Sequence, residues 1–239
     1  TELVSKEHLL GFDEIPLDNE DSRNQMAVQV LSHSASPEPS ERTRGMGETA
    51  IEESAACIRL KGDGFTYCMD KRTGLFTKLE YAGVDRIKRP MEVNIWRAPI
   101  DNDLPFKAEW YRAGYNRTTV RAYGAEAARE GDVVRIHCPM ALLADTEQRI
   151  MDLDTIWTVS KSGEITLSMS VKRHPQFPVL PRFGIRLFLD ESMDHVRYYG
   201  MGPAESYIDK HRASSHGIYA ARVRDMHEDY TRPQENGSH

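Results

Sequence analysis

The sequence predicts an all-β chain of antiparallel strands, and three observations carry that prediction. Apolar and polar residues alternate in short runs, as in Ile165, Leu167, Met169 and Val171 against Thr166, Ser168 and Ser170. Turn-forming clusters such as Lys161-Ser-Gly-Glu164 separate the runs. Helical character is confined to two brief stretches, Glu109–Arg112 and Ala125–Arg129. Alternation gives each strand one apolar face, and stacked antiparallel sheets are the usual way to bury such faces.

Taken in order, residues 1–31 read as the end of one domain. Leu9, Leu10, Phe12, Ile15 and Leu17 make a short apolar segment, Pro16 argues against a helix interior, and Met26–Leu31 reads as a strand. Residues 32–54 turn to Ser, Pro, Glu, Arg and Gly, with Pro37 and Pro39 close together. They offer too little apolar surface to offset chain ordering and are expected to be a linker. From residue 55 a single β-rich domain is expected to run to residue 239. Ile58–Leu60, Phe65–Met69 and Leu75–Tyr81 read as strands, with Asp70 and Gly74 in the turn between the last two. Met151, Leu153, Trp157 and Val159 form the apolar face of a strand that pairs with the 165–171 run. Ile185, Leu187 and Leu189 alternate after Pro181, and His195–Tyr199 reads as a further strand. No repeat of 20–50 residues is present.

Charge and cysteine usage narrow the function classes. The 37 acidic and 31 basic residues give a formal net charge of −6 without a long like-charge block, so neither nucleic acid nor membrane is an expected partner. Cys57, Cys68 and Cys138 are odd in number and widely spaced, which fits neither a disulfide framework nor a zinc knuckle. Free buried thiols in a reducing compartment are expected, with Cys57 and Cys68 facing across a hairpin as an open alternative. No signal peptide or transmembrane run is visible, and a cytoplasmic location is expected. The start at Thr1, without an initiator methionine, reads as that of an excised piece.

The densest polar motif is Trp96-Arg-Ala-Pro-Ile-Asp-Asn-Asp103, expected to be a rigid loop. Asp101, Asn102 and Asp103 could serve a hard cation, sugar hydroxyls, or an Asx turn in which Arg97 pairs with a carboxylate. A calcium loop of the EF-hand type is excluded by Leu104-Pro-Phe106, and no metal site is predicted. His211, His216 and His227 do not have zinc-ligand spacing. Gly200-Met-Gly-Pro203 specifies a tight loop that presents Glu205 and Tyr207. Glu205 could face a sugar or pair with Lys210 or Arg212, and Glu235 and Asn236 after Pro233 carry the same two readings. There is no nucleophile elbow, P-loop or dinucleotide fingerprint. Retaining glycoside hydrolysis needs two carboxylates roughly 5 Å apart, and no convincing acid–nucleophile pair is present, so no catalytic residue is predicted.

Four segments recur in family order: Trp96–Asp103, Leu180-Pro-Arg-Phe-Gly184, Tyr198–Tyr207 with Asp209, and Met226 through Gly237. Over about residues 55–239 the chain resembles the C-terminal small-chain domain of the large bacterial β-galactosidases. Residues 1–31, with Leu10-Gly-Phe12 and Ile15-Pro-Leu17, resemble the end of the immunoglobulin-like β-sandwich that precedes it. The resemblance implies an all-β, antiparallel β-supersandwich, galactose mutarotase-like and incomplete, with sheet edges and core exposed. A piece of this kind is expected to be marginally stable or rescued by self-association. The family hydrolyses terminal β-D-galactosides such as lactose with retention, using glutamates on a (β/α)8 barrel that nothing here matches. This chain is then a non-catalytic segment that walls the active-site entrance and supports assembly. Its pocket border would comprise Arg97, Asp101, Asn102, Asp103, Leu104, Glu205, Tyr207, Glu235 and Asn236. Some members place a hinge Gly after the motif, where this chain has Leu104-Pro105, a stiffer pair. The implied partners are the barrel-bearing remainder of the enzyme and a galactoside, with a homo-oligomer open. No cofactor is expected in this chain, and Mg and Na belong to the parent enzyme. Two alternatives stay open: an aldose epimerase using His216 and Glu205, and a carbohydrate-binding module stacking sugars on Trp96, Trp110 or Tyr111.

Overall fold

A computed structural model of the chain describes residues 47–144, 149–207, 209–232 and 235–239. The segment expected to end an immunoglobulin-like domain, 1–31, and the expected linker as far as residue 46 lie outside the described residues. The described residues divide between two compact units: 47–193 with 232 and 235, and 194–231 with 236–239. The span expected as one domain from 55 to 239 is thus split after Met193.

The larger unit is a β-sandwich. Its first sheet is an antiparallel meander of β1 (Ala50–Glu53), β2 (Cys57–Gly62), β3 (Phe65–Asp70), β4 (Leu75–Tyr81) and β5 (Val84–Asp85). β1 falls inside the expected linker, which therefore ends before residue 50: Ala50 to Glu53 pair with Lys61 to Ile58. The second sheet runs β11 (Ile165–Arg173), β10 (Arg149–Ser160), β9 (Val133–Ala144), β7 (Thr118–Ala122), with β8 (Glu126–Glu130) also pairing to β9. β6 (Ile87–Asn94) pairs with β12 (Gly184–Leu189). The expected hairpin forms in register, Trp157 opposite Leu167 and Val159 opposite Ile165.

Residues of the first two sheets meet in one core. Phe76 lies edge-on to Trp157, with ring centroids 5.1 Å apart. Trp157 Nε1 donates to the Gly74 carbonyl at 3.0 Å, and the Tyr67 hydroxyl donates to the Gly163 carbonyl at 2.7 Å. Both polar tips are thereby satisfied in the interior, as burial requires. Gly74 has φ +70, and a Cβ there would meet Met140 Sδ at 2.6 Å, so the β3–β4 turn needs glycine for conformation and for space.

The helical turn expected at Ala125–Arg129 is instead strand β8, because pairing with β9 and packing of Ala127 against the core outweigh the helix preference of alanine. The other expected turn is longer than predicted. Asp101–Asp103 form a 3-10 turn that leads into α1 (Leu104–Arg112), with Pro105 in the first turn, where its missing N–H is not needed. Cys57 pairs with Asp70 and Cys68 with Arg59, so the two thiols are not opposite one another; all three cysteines are free. Burial pushes the Cys138 thiol up to about 11.

The smaller unit holds one hairpin, β13 (His195–Gly202) against β14 (Ser215–Arg222), with Tyr198 opposite Tyr219. Among the described residues no helix is long and apolar enough to cross a membrane.

Candidate functional site

The predicted site residues fall into two groups, one in each unit. In the larger unit β6 ends at Asn94, whose side chain donates to the Trp96 carbonyl at 2.8 Å and accepts from the Trp96 N–H at 3.2 Å. This local bridge turns the chain out of the sheet. Arg97 then forks onto Asp103, at 2.5 Å to Oδ2 and 2.9 Å to Oδ1, and its Nε donates to the Pro181 carbonyl at 3.2 Å. Asp103 also accepts from the Ile100 N–H at 2.8 Å. Both side chains are nearly sealed, at 13% and 10% exposure. Of the three uses open for this motif, the Asx turn with its arginine partner is the geometry found. Asp103 is a clamp, while Asp101, Asn102 and Leu104 lie on the exposed side.

Glu235 belongs to the same group. Its Oε2 accepts from the Ala98 N–H at 3.0 Å and its Oε1 meets Arg182 at 2.9 Å. A third set of contacts holds the 178–182 segment against this loop. Tyr115 donates to the Pro178 carbonyl at 2.7 Å, Trp110 to Val179 at 2.8 Å, and Arg97 to Pro181. Side chains thus satisfy three carbonyls of a stretch whose prolines cannot sustain a sheet ladder. Burial pushes the Tyr115 phenol up to about 12. Of the three aromatics considered for sugar stacking, Trp110 is 2% exposed and Trp96 packs edge-on to Tyr111 at 5.0 Å. Tyr111 alone among them is exposed.

In the smaller unit Glu205 is a buried carboxylate with three donors. Tyr230 donates to Oε1 at 2.5 Å, Lys210 reaches Oε1 at 3.3 Å, and the Gly237 N–H donates to Oε2 at 3.0 Å. Lys210 also donates to the Tyr230 hydroxyl and lies over the rings of Tyr230 and Tyr207 at 4.4 and 5.3 Å. Of the two cations suggested as partners, Lys210 is the one engaged. Asn236 Oδ1 accepts from the Glu228 N–H at 2.6 Å, and Ser206 N–H donates to the Ser238 carbonyl at 2.7 Å. The His216–Glu205 pair needed by an epimerase is not presented together: Glu205 has 1% side-chain exposure, whereas His216 lies exposed on β14.

Sequence reasoning did not assign roles to Asn94, Arg182, Tyr115 or Tyr230. Arg182 and Tyr230 lie inside family segments already noted, and that was the available signal. Asn94 and Tyr115 carried none, since each acts on backbone groups that are local or 63 residues distant. Among the described residues no group of three or more His, Cys, Asp or Glu could hold a metal ion.

The chain is thus an antiparallel all-β protein whose densest polar loop is clamped internally by Arg97 and Asp103. The chain belongs to the beta galactosidase small chain family, whose profile matches residues 61–239. It is 34% identical to a β-galactosidase of Actinobacillus pleuropneumoniae over 239 residues, all of this chain and 22% of that protein. A β-galactosidase of Staphylococcus xylosus is 35% identical over 146 residues, 61% of this chain and 15% of the relative. One from Lactobacillus delbrueckii subsp. bulgaricus is 32% identical over 200 residues, 80% of this chain and 19% of the relative. The chain therefore spans about a fifth of the length of these curated relatives.

Proposed function

We propose that the chain is the non-catalytic small-chain part of a β-galactosidase acting on terminal β-D-galactosides such as lactose, with retention. The observation that carries this reading is the family match across 61–239 together with relatives named as β-galactosidases. The geometry supports an accessory role. The two buried carboxylates, Asp103 and Glu205, are each held by a cation and by backbone N–H donors, which suits them to positioning rather than to proton or glycosyl transfer. The Arg97–Asp103 clamp fixes the loop that precedes α1, so that Asp101, Asn102 and Leu104 form a preorganised edge for the substrate pocket of the parent enzyme. The remainder of the enzyme would carry the barrel, its acid and nucleophile, and Mg and Na; assembly into oligomers and a cytoplasmic site of action complete the reading. The test is turnover of an aryl β-galactoside, and mutarotation of α-galactose, by the purified chain. Neither activity is expected. Galactoside hydrolysis by the chain itself would overturn the non-catalytic reading, and mutarotation would favour an epimerase.

A further inference from the structure

A cleft of about 390 Å³ opens in the larger unit between the Arg72–Leu75 turn, the end of β6, the start of β7 and β12. Arg72, Arg117 and Arg186 are among its lining residues, and Glu92 is the one acidic residue there. Glu92 lies 3.4 Å from Arg186, and Arg72 reaches Asp70 only at 3.5 Å. Among the described residues no carboxylate pairs with Arg117. Positive charge is therefore in excess here, although the chain as a whole carries a formal charge of −6, so the cleft is not a by-product of a basic protein.

Uncharged groups complete the lining. The Asn116 amide and the hydroxyls of Thr118 and Thr119 supply donors and acceptors, and Trp96 supplies an apolar wall. The volume is within the range of small-molecule sites and larger than a bare phosphate requires. Guanidinium forks match phosphate and carboxylate oxygens in pairs. We propose that this cleft binds an oxyanion, phosphate or carboxylate, carried on a molecule of monosaccharide size. The inference goes beyond a role in β-galactosidase assembly and does not depend on it.

The test is a binding titration of the 239-residue chain at low salt with a hexose phosphate, galacturonate, neutral galactose and inorganic phosphate. At least one sugar anion is expected to bind about tenfold tighter than galactose and inorganic phosphate, and to weaken as salt is added. Which of the two sugar anions binds identifies the charged group. Arg117→Ala should weaken that binding about tenfold, and Arg117→Lys should restore part of it. Arg72→Ala, at a side chain 83% exposed, provides a second variant that leaves the fold intact. Absence of binding by both sugar anions would overturn the proposal. So would equal binding of galactose or of inorganic phosphate, or unchanged affinity in folded Arg117→Ala and Arg72→Ala proteins.

Discussion

At the scale of single residues, the account rests on carboxylates that are consumed by their neighbours. Replacing Arg97 by alanine would strand the Asp103 carboxylate, and breaking a largely buried pair costs about 3 kcal/mol. Urea denaturation of Arg97→Ala should show that loss, with Arg97→Lys intermediate because lysine keeps the charge but not the fork. An unchanged urea midpoint would show that the clamp does not hold the loop. Burial sets a second expectation. Tyr67 and Tyr115 are pushed up to about 12 from an ordinary 10, and Cys138 to about 11 from 9. These groups are neutral when protonated, so the fold favours the protonated form. The corresponding stability is whole below pH 9, begins to fall above it, and is lost by about pH 12. Thermal melts across pH 8 to 12 should fall in that window, and a Cys138→Ala variant should start its decline later. The motif spelled out the clamp's chemistry, since an arginine and two aspartates within seven residues allow few other pairings. It did not reveal which aspartate is taken, because that depends on the 3-10 turn that lifts Asp103 back toward Arg97 and the Ile100 N–H.

At the scale of elements, legibility followed alternation. β3 and β10 bury every second residue over much of their length, and β11 alternates half-buried with exposed residues, so all three were readable for that reason. β9 is harder, because Met140, Ala141 and Leu142 are buried in succession and the period of two is lost. Its partner β10 carries a register shift between Arg149 and Met151, which lets both Ile150 and Met151 reach the core. β6 contains Pro90, and its pairing with β12 slips between Arg186 and Phe188, so neither strand alternates cleanly with the other. The β3–β4 turn gives the sharpest element-level prediction. Gly74→Ala combines a positive φ with a clash against Met140, and should destabilise the chain by about 2 kcal/mol. A chemical-denaturation midpoint equal to that of the unaltered chain would show that the turn has room to relax.

At the scale of the whole molecule, β12 leaves Leu187 and Leu189 each about half exposed, at 48% and 49%, on a strand that among the described residues is paired on one side only. Such surface seeks a partner. Sedimentation velocity over micromolar concentrations should show association that a Leu187→Ser, Leu189→Ser variant loses; a cooperative monomer at every concentration would contradict this. The family is legible at this scale as well, because four separated segments in fixed order identify it even where individual strands are obscure. The central claim is that the chain serves a β-galactosidase without performing its chemistry. Complementation tests it most directly: aryl β-galactoside turnover by a β-galactosidase deleted for the segment that corresponds to residues 61–239, measured with and without this chain. The account predicts that neither polypeptide turns over substrate alone and that mixing restores activity, less so with Arg97→Ala. Hydrolysis by this chain alone, or a deleted enzyme that its addition leaves unchanged, would contradict it.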